Sequence, residues 1–123
     1  EYAKVDENAA LQIRNTLAKG GKVIAVGTTV MRVLESPFFV DNNFQPFDGS
    51  INTFIKPGHD FKVCSGLFTN FHLPKSTLFI LVNAFVGIDK ANELYQLAIK
   101  KKYRLFSYGD CCLLLPSSFN LNM

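Results

Sequence analysis

The sequence predicts one globular α/β unit without a membrane span, and three observations support this prediction. First, a helical pattern over the opening residues gives way to a short apolar run and then to a second helical pattern, an alternation typical of helices packed on a sheet. Second, 123 residues that are 48% hydrophobic suffice for one modest core. Third, the longest apolar run is interrupted at Asn83, well short of the roughly 20 residues that cross a bilayer, so no membrane span is expected.

The first predicted helix begins after Asp6, whose side chain suits a helix N-cap. Its inner face would use Ala10, Ile13 and Leu17, and Gly20-Gly21 supplies the stop signal. The β-branched run from Lys22 to Val26 then predicts a buried strand.

A turn at Gly27-Thr28-Thr29 leads into a second helix, in which Val30, Val33 and Leu34 have helical spacing. A glycine after a buried strand lets a ligand approach the backbone, and the helix N-terminus that follows suits an anion. The alternative is an ordinary strand-helix turn capped by threonine.

The middle of the chain predicts a loop and then two strands. Residues 37–50 are rich in Asn, Asp, Pro and Gly and indicate irregular backbone. Asn52–Ile55 and Phe61–Val63 are expected to be extended on either side of a Pro57-Gly58 turn, which predicts a strand-rich middle. His59 is interpreted as a loop residue without catalytic company.

Two more helices are predicted after this middle section. Leu78 to Phe85 is apolar on nearly every side, follows capping hydroxyls at Ser76 and Thr77, and must be buried. The next helix begins at Asp89, and its inner face has helical spacing at Ala91, Leu94, Tyr95 and Ala98.

The C-terminal part predicts strands at Arg104–Phe106 and Cys111–Leu115, on either side of a polar turn. Residues 1–115 are therefore interpreted as part of one α/β domain and residues 116–123 as a C-terminal tail.

Polar clusters follow the ends of several apolar elements. Because strand ends of an open α/β sheet converge on one rim, we expect these clusters to share one pocket. The clusters are Gly27-Thr28-Thr29 with Arg32, Thr69-Asn70-Phe71-His72 with Lys75-Ser76, Tyr103-Arg104, and Ser107-Tyr108-Gly109-Asp110.

Net charge and cysteine content do not by themselves identify a class of function. The net charge is +3, but Lys100-Lys101-Lys102 and Arg104 surround Tyr103, an arrangement that suits phosphate contact and base stacking. The alternative is a solvated helix C-terminus. Cys64, Cys111 and Cys112 lack the spacing of a metal or redox motif, so we expect reduced structural thiols, no metal and a cytoplasmic protein.

Four segments resemble consecutive signature blocks of the S-adenosylmethionine:tRNA ribosyltransferase-isomerase family of queuosine biosynthesis. They are GKVIAVGTTVMRVLES, FIKPGHDFKV, GLFTNFHLPKSTLFILVNAFVG and YRLFSYGD. The resemblance implies the C-terminal section of the family's large α/β domain, a mixed sheet flanked by helices, without the family's smaller β-barrel domain. The residues around Arg32 and at Ser65 depart from the family pattern, and residues 36–49 match it poorly.

The resemblance also implies a reaction. The family transfers and isomerises the ribosyl part of S-adenosylmethionine onto 7-aminomethyl-7-deazaguanine at the wobble position of tRNA with a GUN anticodon. Epoxyqueuosine forms, and adenine and methionine are released. S-adenosylmethionine is thus consumed as a co-substrate, and neither a metal nor a protein partner is implied.

Side-chain chemistry suggests roles for the clustered residues in that reaction. His72 or Asp110 would act as the base that takes a proton, since a sulfonium acidifies the neighbouring carbon. Binding roles fall into two sets: for S-adenosylmethionine, Thr28, Thr29, Arg32 and Asn70; for tRNA, Lys75, Ser76, Tyr103, Arg104 and Tyr108.

Two rival functions stay open at this point. One is a non-catalytic RNA-binding remnant of the same fold, and the other is an S-adenosylmethionine methyltransferase. Because the first residue is Glu1, we also expect a piece of a longer chain that is inactive by itself.

Overall fold

The computed structural model describes residues 1–36, 45–72, 76–104 and 110–116. Within these ranges the chain forms four helices and five strands. The strands are β1 (Tyr2–Val5), β2 (Ile24–Val26), β3 (Phe47–Ser50), β4 (Gly66–Asn70) and β5 (Cys111–Leu114). The helices are α1 (Glu7–Ala18), α2 (Thr28–Leu34), α3 (Thr77–Val86) and α4 (Ile88–Lys100).

The larger sheet has the strand order β2-β4-β5 and mixes both pairing directions. β2 runs parallel to β4, with Val26 opposite Phe68, and β5 runs antiparallel to β4, with Cys111 opposite Asn70. The carboxyl ends of β2 and β4 and the start of β5 therefore meet at one edge. A separate antiparallel pair joins β1 to β3. The predicted mixed α/β fold is confirmed.

Helix capping follows the sequence signals. Asp6 accepts a hydrogen bond from the backbone N–H of Ala9 at 2.8 Å, and Ser76 accepts one from that of Phe79 at 3.1 Å. Both predicted N-caps are therefore confirmed. The inner face of α4 is also confirmed, because Ala91, Tyr95 and Ala98 are buried.

One face of the larger sheet carries the core. Ala25, Leu67 and Leu114 are buried there, within a cluster that also includes Leu81 and Val82 of α3. The opposite face is apolar but exposed, and its large side chains are Ile24, Val26, Phe68 and Leu113. No helix in the described ranges is long and apolar enough to cross a membrane.

The prediction of a strand-rich middle section was wrong. Neither Asn52–Ile55 nor Phe61–Val63 forms a strand, although the Pro57-Gly58 turn is present. The backbone N–H groups of Lys62, Val63 and Cys64 do not join a ladder. All three donate to the carboxylate of Glu35, at 2.8, 2.8 and 2.7 Å. A buried side chain thus does the work that a neighbouring strand was expected to do.

Strands β1, β3 and β4 were not predicted. β1 lies in a stretch that the sequence left unassigned, and β3 falls inside the expected loop of residues 37–50. The predicted strand at Cys111–Leu115 is confirmed as β5, while most of the one at Arg104–Phe106 lies outside the described residues. In α2 the buried apolar residues are Met31, Val33 and Leu34, whereas Val30 is exposed.

Candidate functional site

A cleft of about 550 Å³ opens where β2 and β4 end. It lies at the carboxyl ends of two parallel strands, the usual ligand position in open α/β sheets. The lining residues come from the turn after β2, from β4 and its continuation, and from the first residue of β5: Val26, Gly27, Thr28, Thr29, Val30, Phe68, Thr69, Asn70, His72 and Cys111.

Gly27 shapes the wall of the cleft at the end of β2. Its φ of 102° lies where glycine alone is comfortable, and its N–H donates to the carbonyl of Phe68 at 2.8 Å. The residue is the N-cap of α2, which has seven residues and no side-chain hydrogen bond at its cap. Neither Thr28 nor Thr29 therefore caps this helix, contrary to the alternative interpretation of the turn.

His72 is held on both sides. Its Nε2 lies 2.8 Å from the hydroxyl of Thr69, and its backbone N–H donates to Tyr95 Oη at 2.7 Å. Burial lowers the pKa of the imidazole from its ordinary value of 6.5, since the charged form loses solvation. The ring is thus uncharged near neutral pH, which is the form that can accept a proton.

Tyr95 is a site residue that the sequence did not reveal. Its position on the inner face of α4 indicated packing alone, and it does pack against Phe79 and Phe71, with ring centroids 4.7 and 5.6 Å away. Its hydroxyl also reaches the backbone of His72. Nothing in the local sequence signals a contact across 23 residues.

Arg32 lies outside this cleft, which corrects the expectation of one shared hollow. Its Nη2 forms an ion pair with Glu1 Oε1 at 2.6 Å and lies 3.4 Å from Thr29 Oγ1. The helix turns Arg32 toward residues 51–55, where it lines a second groove. Thr29 both lines the cleft and contacts the Arg32 side chain.

Asp110 is not among the described residues that line the cleft, although its neighbour Cys111 is. Its carboxylate accepts hydrogen bonds from the backbone N–H, Nε and Nη2 of Arg104. These bonds lower the pKa of Asp110 and raise that of Arg104. An aspartate stabilised in its charged form is a weaker base, so the geometry favours His72 over Asp110.

The remaining predicted contacts are dispersed. One ring face of Tyr103 stacks on Phe71, with centroids 5.8 Å apart and planes 13° apart, and Tyr103 is otherwise about half exposed. The hydroxyl of Ser76 caps α3. Lys75 and Tyr108, which were predicted to contact tRNA, lie outside the described residues.

The described residues were also compared with the expectations for metal ligands and for His59. Within the described ranges, no group of three or more His, Cys, Asp or Glu residues is placed to hold a metal ion. His59 was interpreted as having no polar company, but its Nε2 lies 3.3 Å from Glu35 Oε1. It therefore belongs to the buried Glu35 network.

Comparison with known proteins extends over nearly the whole chain. Residues 1–114 match the family model described as "Queuosine biosynthesis protein". An S-adenosylmethionine:tRNA ribosyltransferase-isomerase of Halothermothrix orenii is 52% identical over 115 residues, which are 94% of this chain and 34% of that protein. Another, from Afipia carboxidovorans, is 50% identical over 118 residues, 96% of this chain and 33% of that protein.

The fold has a solved relative as well. The crystal structure of S-adenosylmethionine tRNA ribosyltransferase from Thermotoga maritima matches with a TM-score of 0.86 and 40% identity, over 93% of this chain and 40% of that chain. The chain thus spans about a third of the length of the curated relatives that it matches.

Proposed function

Because the chain belongs to the family of queuosine biosynthesis proteins, we propose that it is part of an S-adenosylmethionine:tRNA ribosyltransferase-isomerase. The enzyme moves the ribosyl moiety of S-adenosylmethionine onto 7-aminomethyl-7-deazaguanine at the wobble position of tRNA with a GUN anticodon. The product is epoxyqueuosine, and adenine and methionine are released. The reaction takes place in the cytoplasm, and residues 1–115 belong to the catalytic α/β domain.

One observation carries the proposal beyond family membership. Residues far apart in sequence, Thr28, Asn70 and His72, line a single cleft at the carboxyl ends of β2 and β4. Such a cleft combines apolar walls with a few convergent polar groups, which is typical of sites for small molecules.

The cleft fits S-adenosylmethionine in size and chemistry. Its volume of about 550 Å³ lies within the range of pockets for molecules of this size. Val26 and Phe68 offer apolar surface to the adenine ring, and Asn70 can donate and accept hydrogen bonds at a base edge or a ribose hydroxyl. The hydroxyls of Thr28 and Thr29 add polar contacts at the opposite wall.

His72 is the proposed catalytic base. S-adenosylmethionine supplies a sulfonium that acidifies the adjacent C5′, and the neutral imidazole of His72 accepts that proton. Thr69 contacts the ring, and Tyr95 holds the backbone of the same residue. Asp110 orients Arg104, and we assign Arg104 and Tyr103 to the tRNA, together with Lys75, Ser76 and Tyr108.

The test is turnover by the purified full-length protein. Reactions contain S-adenosylmethionine and tRNA that carries 7-aminomethyl-7-deazaguanine, and mass spectrometry measures adenine release and the modified nucleoside. We expect His72→Gln to lower kcat by about 10²- to 10⁴-fold, the usual contribution of a general base. Asp110→Asn serves as the matched comparison and is expected to reduce the rate much less.

The rival functions give different results in the same assay. Binding of tRNA without adenine release by the unmodified protein would indicate the RNA-binding remnant. Transfer of labelled methyl to RNA would indicate a methyltransferase. Full activity of His72→Gln would remove His72 as the base and leave the family activity intact.

A further inference from the structure

A second groove, of about 360 Å³, lies beside the cleft and has no role in the reaction described above. Its apolar floor comes from Ile51, Ile55 and Leu81, which are all buried. Its rim carries groups that bind nucleotides elsewhere in proteins. These are Glu1, Arg32, Asn52, Thr53, Phe54 and Thr77.

Among the described residues that line the groove, Arg32 is the cation and Glu1 is the anion. Only its Nη2 has hydrogen-bond partners among the described residues, namely Glu1 and Thr29. Its Nε is buried without a partner in the same part of the chain. A buried donor left unpaired is costly, so the Arg32 guanidinium has hydrogen-bonding capacity that no described residue uses.

Glu1 indicates what kind of acceptor fits. Its carboxylate sits 2.6 Å from Arg32 Nη2, and the hydrogen bond from Arg32 lowers the pKa of this exposed carboxyl group. Arg32 therefore already stabilises an anionic oxygen at the rim. A phosphate likewise presents two acceptor oxygens to a guanidinium, in place of the carboxylate.

Phe54 supplies a stacking surface. Its side chain is 55% exposed, whereas the neighbouring Ile55 is buried in the floor of the groove. Phe54 lines the groove together with Asn52, which is also exposed. Aromatic side chains left open beside a cation are the usual platform for an unstacked base of single-stranded RNA.

We propose that this groove binds one nucleotide of the tRNA anticodon loop next to the modified base, with its phosphate on Arg32 and its base stacked on Phe54. The assignment rests on the proposed function, because Thr29 lines the cleft and also contacts Arg32, so the two sites share a wall. Arg32 is thereby transferred from the S-adenosylmethionine site to the RNA site.

The first test measures binding of a fluorescent anticodon stem-loop RNA to the full-length protein by anisotropy. Loss of one base–aromatic stack predicts about 5- to 150-fold weaker binding for Phe54→Ala, whereas Phe54→Tyr retains the ring and should stay within about twofold. Ile99→Ala removes another exposed apolar side chain, on α4, and is the matched control. Calorimetry with S-adenosylmethionine should give unchanged affinity for Phe54→Ala.

A second measurement examines the phosphate contact through salt dependence. Arg32→Gln should reduce the slope of log K against log salt by about 0.7, the value for one phosphate of a single strand. Unchanged RNA affinity in Phe54→Ala overturns the inference and leaves the proposed function standing. Weaker S-adenosylmethionine binding in that variant, with unchanged RNA binding, overturns it as well. Absence of RNA binding by the unmodified protein overturns both.

Discussion

The hydroxyl of Tyr95 accepts a hydrogen bond from the backbone N–H of His72 at 2.7 Å. The contact joins the inner face of α4 to the segment that follows β4, so helix packing sets the position of the proposed base. The same burial raises the pKa of Tyr95 to about 12, which keeps its hydroxyl neutral at cellular pH.

Tyr95→Phe tests this link. The aromatic ring stays in place, but the N–H of His72 loses its partner in a half-buried position. We expect a loss of about 1–3 kcal/mol in the free energy of unfolding by urea. We also expect kcat to fall more than KM changes, since the proposed base is displaced rather than removed. Tyr2→Phe, at an exposed position, is the control and should alter neither quantity.

Protonation of His72 should destabilise the fold. Because burial lowers its pKa in the folded state, the unfolded chain binds the proton more readily, and stability is fully present above pH 6.5 and declines below it. Urea midpoints between pH 7.5 and 5 measure this effect. The decline should be smaller in His72→Gln, and identical profiles for the two proteins would contradict the assignment.

Removal of the Glu35 carboxylate should markedly lower the free energy of unfolding, because this side chain holds residues 62–64 in place. Glu35→Ala leaves three N–H groups unpaired, two of them buried, for which we expect at least about 3 kcal/mol of lost stability. Glu93→Ala, on the exposed face of α4, is the control and should stay within about 0.5 kcal/mol. Urea titration distinguishes the two.

Gly27→Ala should act through the backbone alone. A Cβ at this position meets no atom within 4 Å, but φ is 102°, so the expected cost of about 1–3 kcal/mol is conformational strain. Gly49→Ala, in strand β3 without a positive φ, is the matched variant. Comparable stability of both variants in thermal unfolding would show that the turn tolerates a side chain.

The three cysteines should differ in reactivity toward iodoacetamide. Cys111 is exposed in the cleft, whereas burial raises the pKa of Cys112 to about 11 and that of Cys64 further still. Mass spectrometry at pH 8 should find Cys111 modified first and Cys64 modified only on unfolding. Bound S-adenosylmethionine is expected to slow the reaction of Cys111.

Local signals in the sequence were sufficient where one residue decides the outcome. Asp6 and Ser76 identified helix starts, and the spacing of Ala91, Tyr95 and Ala98 identified the buried face of α4. The turn after β2 and residues 69–72 were also expected to be neighbours, because polar clusters at the ends of apolar elements converge on one rim of an α/β sheet, although β4 itself was not predicted.

Long-range side-chain contacts were beyond such signals. Extended character in residues 61–63 suggested a strand, but the partner is a glutamate 27 to 29 residues earlier. Arg32 was grouped with the Gly27-Thr28-Thr29 cluster because its guanidinium suits an anion, yet its side chain lines a different groove. Asp110 was placed by its turn motif, and its pairing with Arg104 depends on how the chain returns.

The Glu35 carboxylate anchors residues 62–64 through three backbone hydrogen bonds to a single side chain. A strand held by a ladder loses its register when a residue is inserted nearby. A segment fastened at one carboxylate can lengthen on its N-terminal side while the fastening holds. Changes of length in the loop around Pro57-Gly58 should therefore leave the larger sheet undisturbed, which makes this loop a suitable place to insert a reporter peptide.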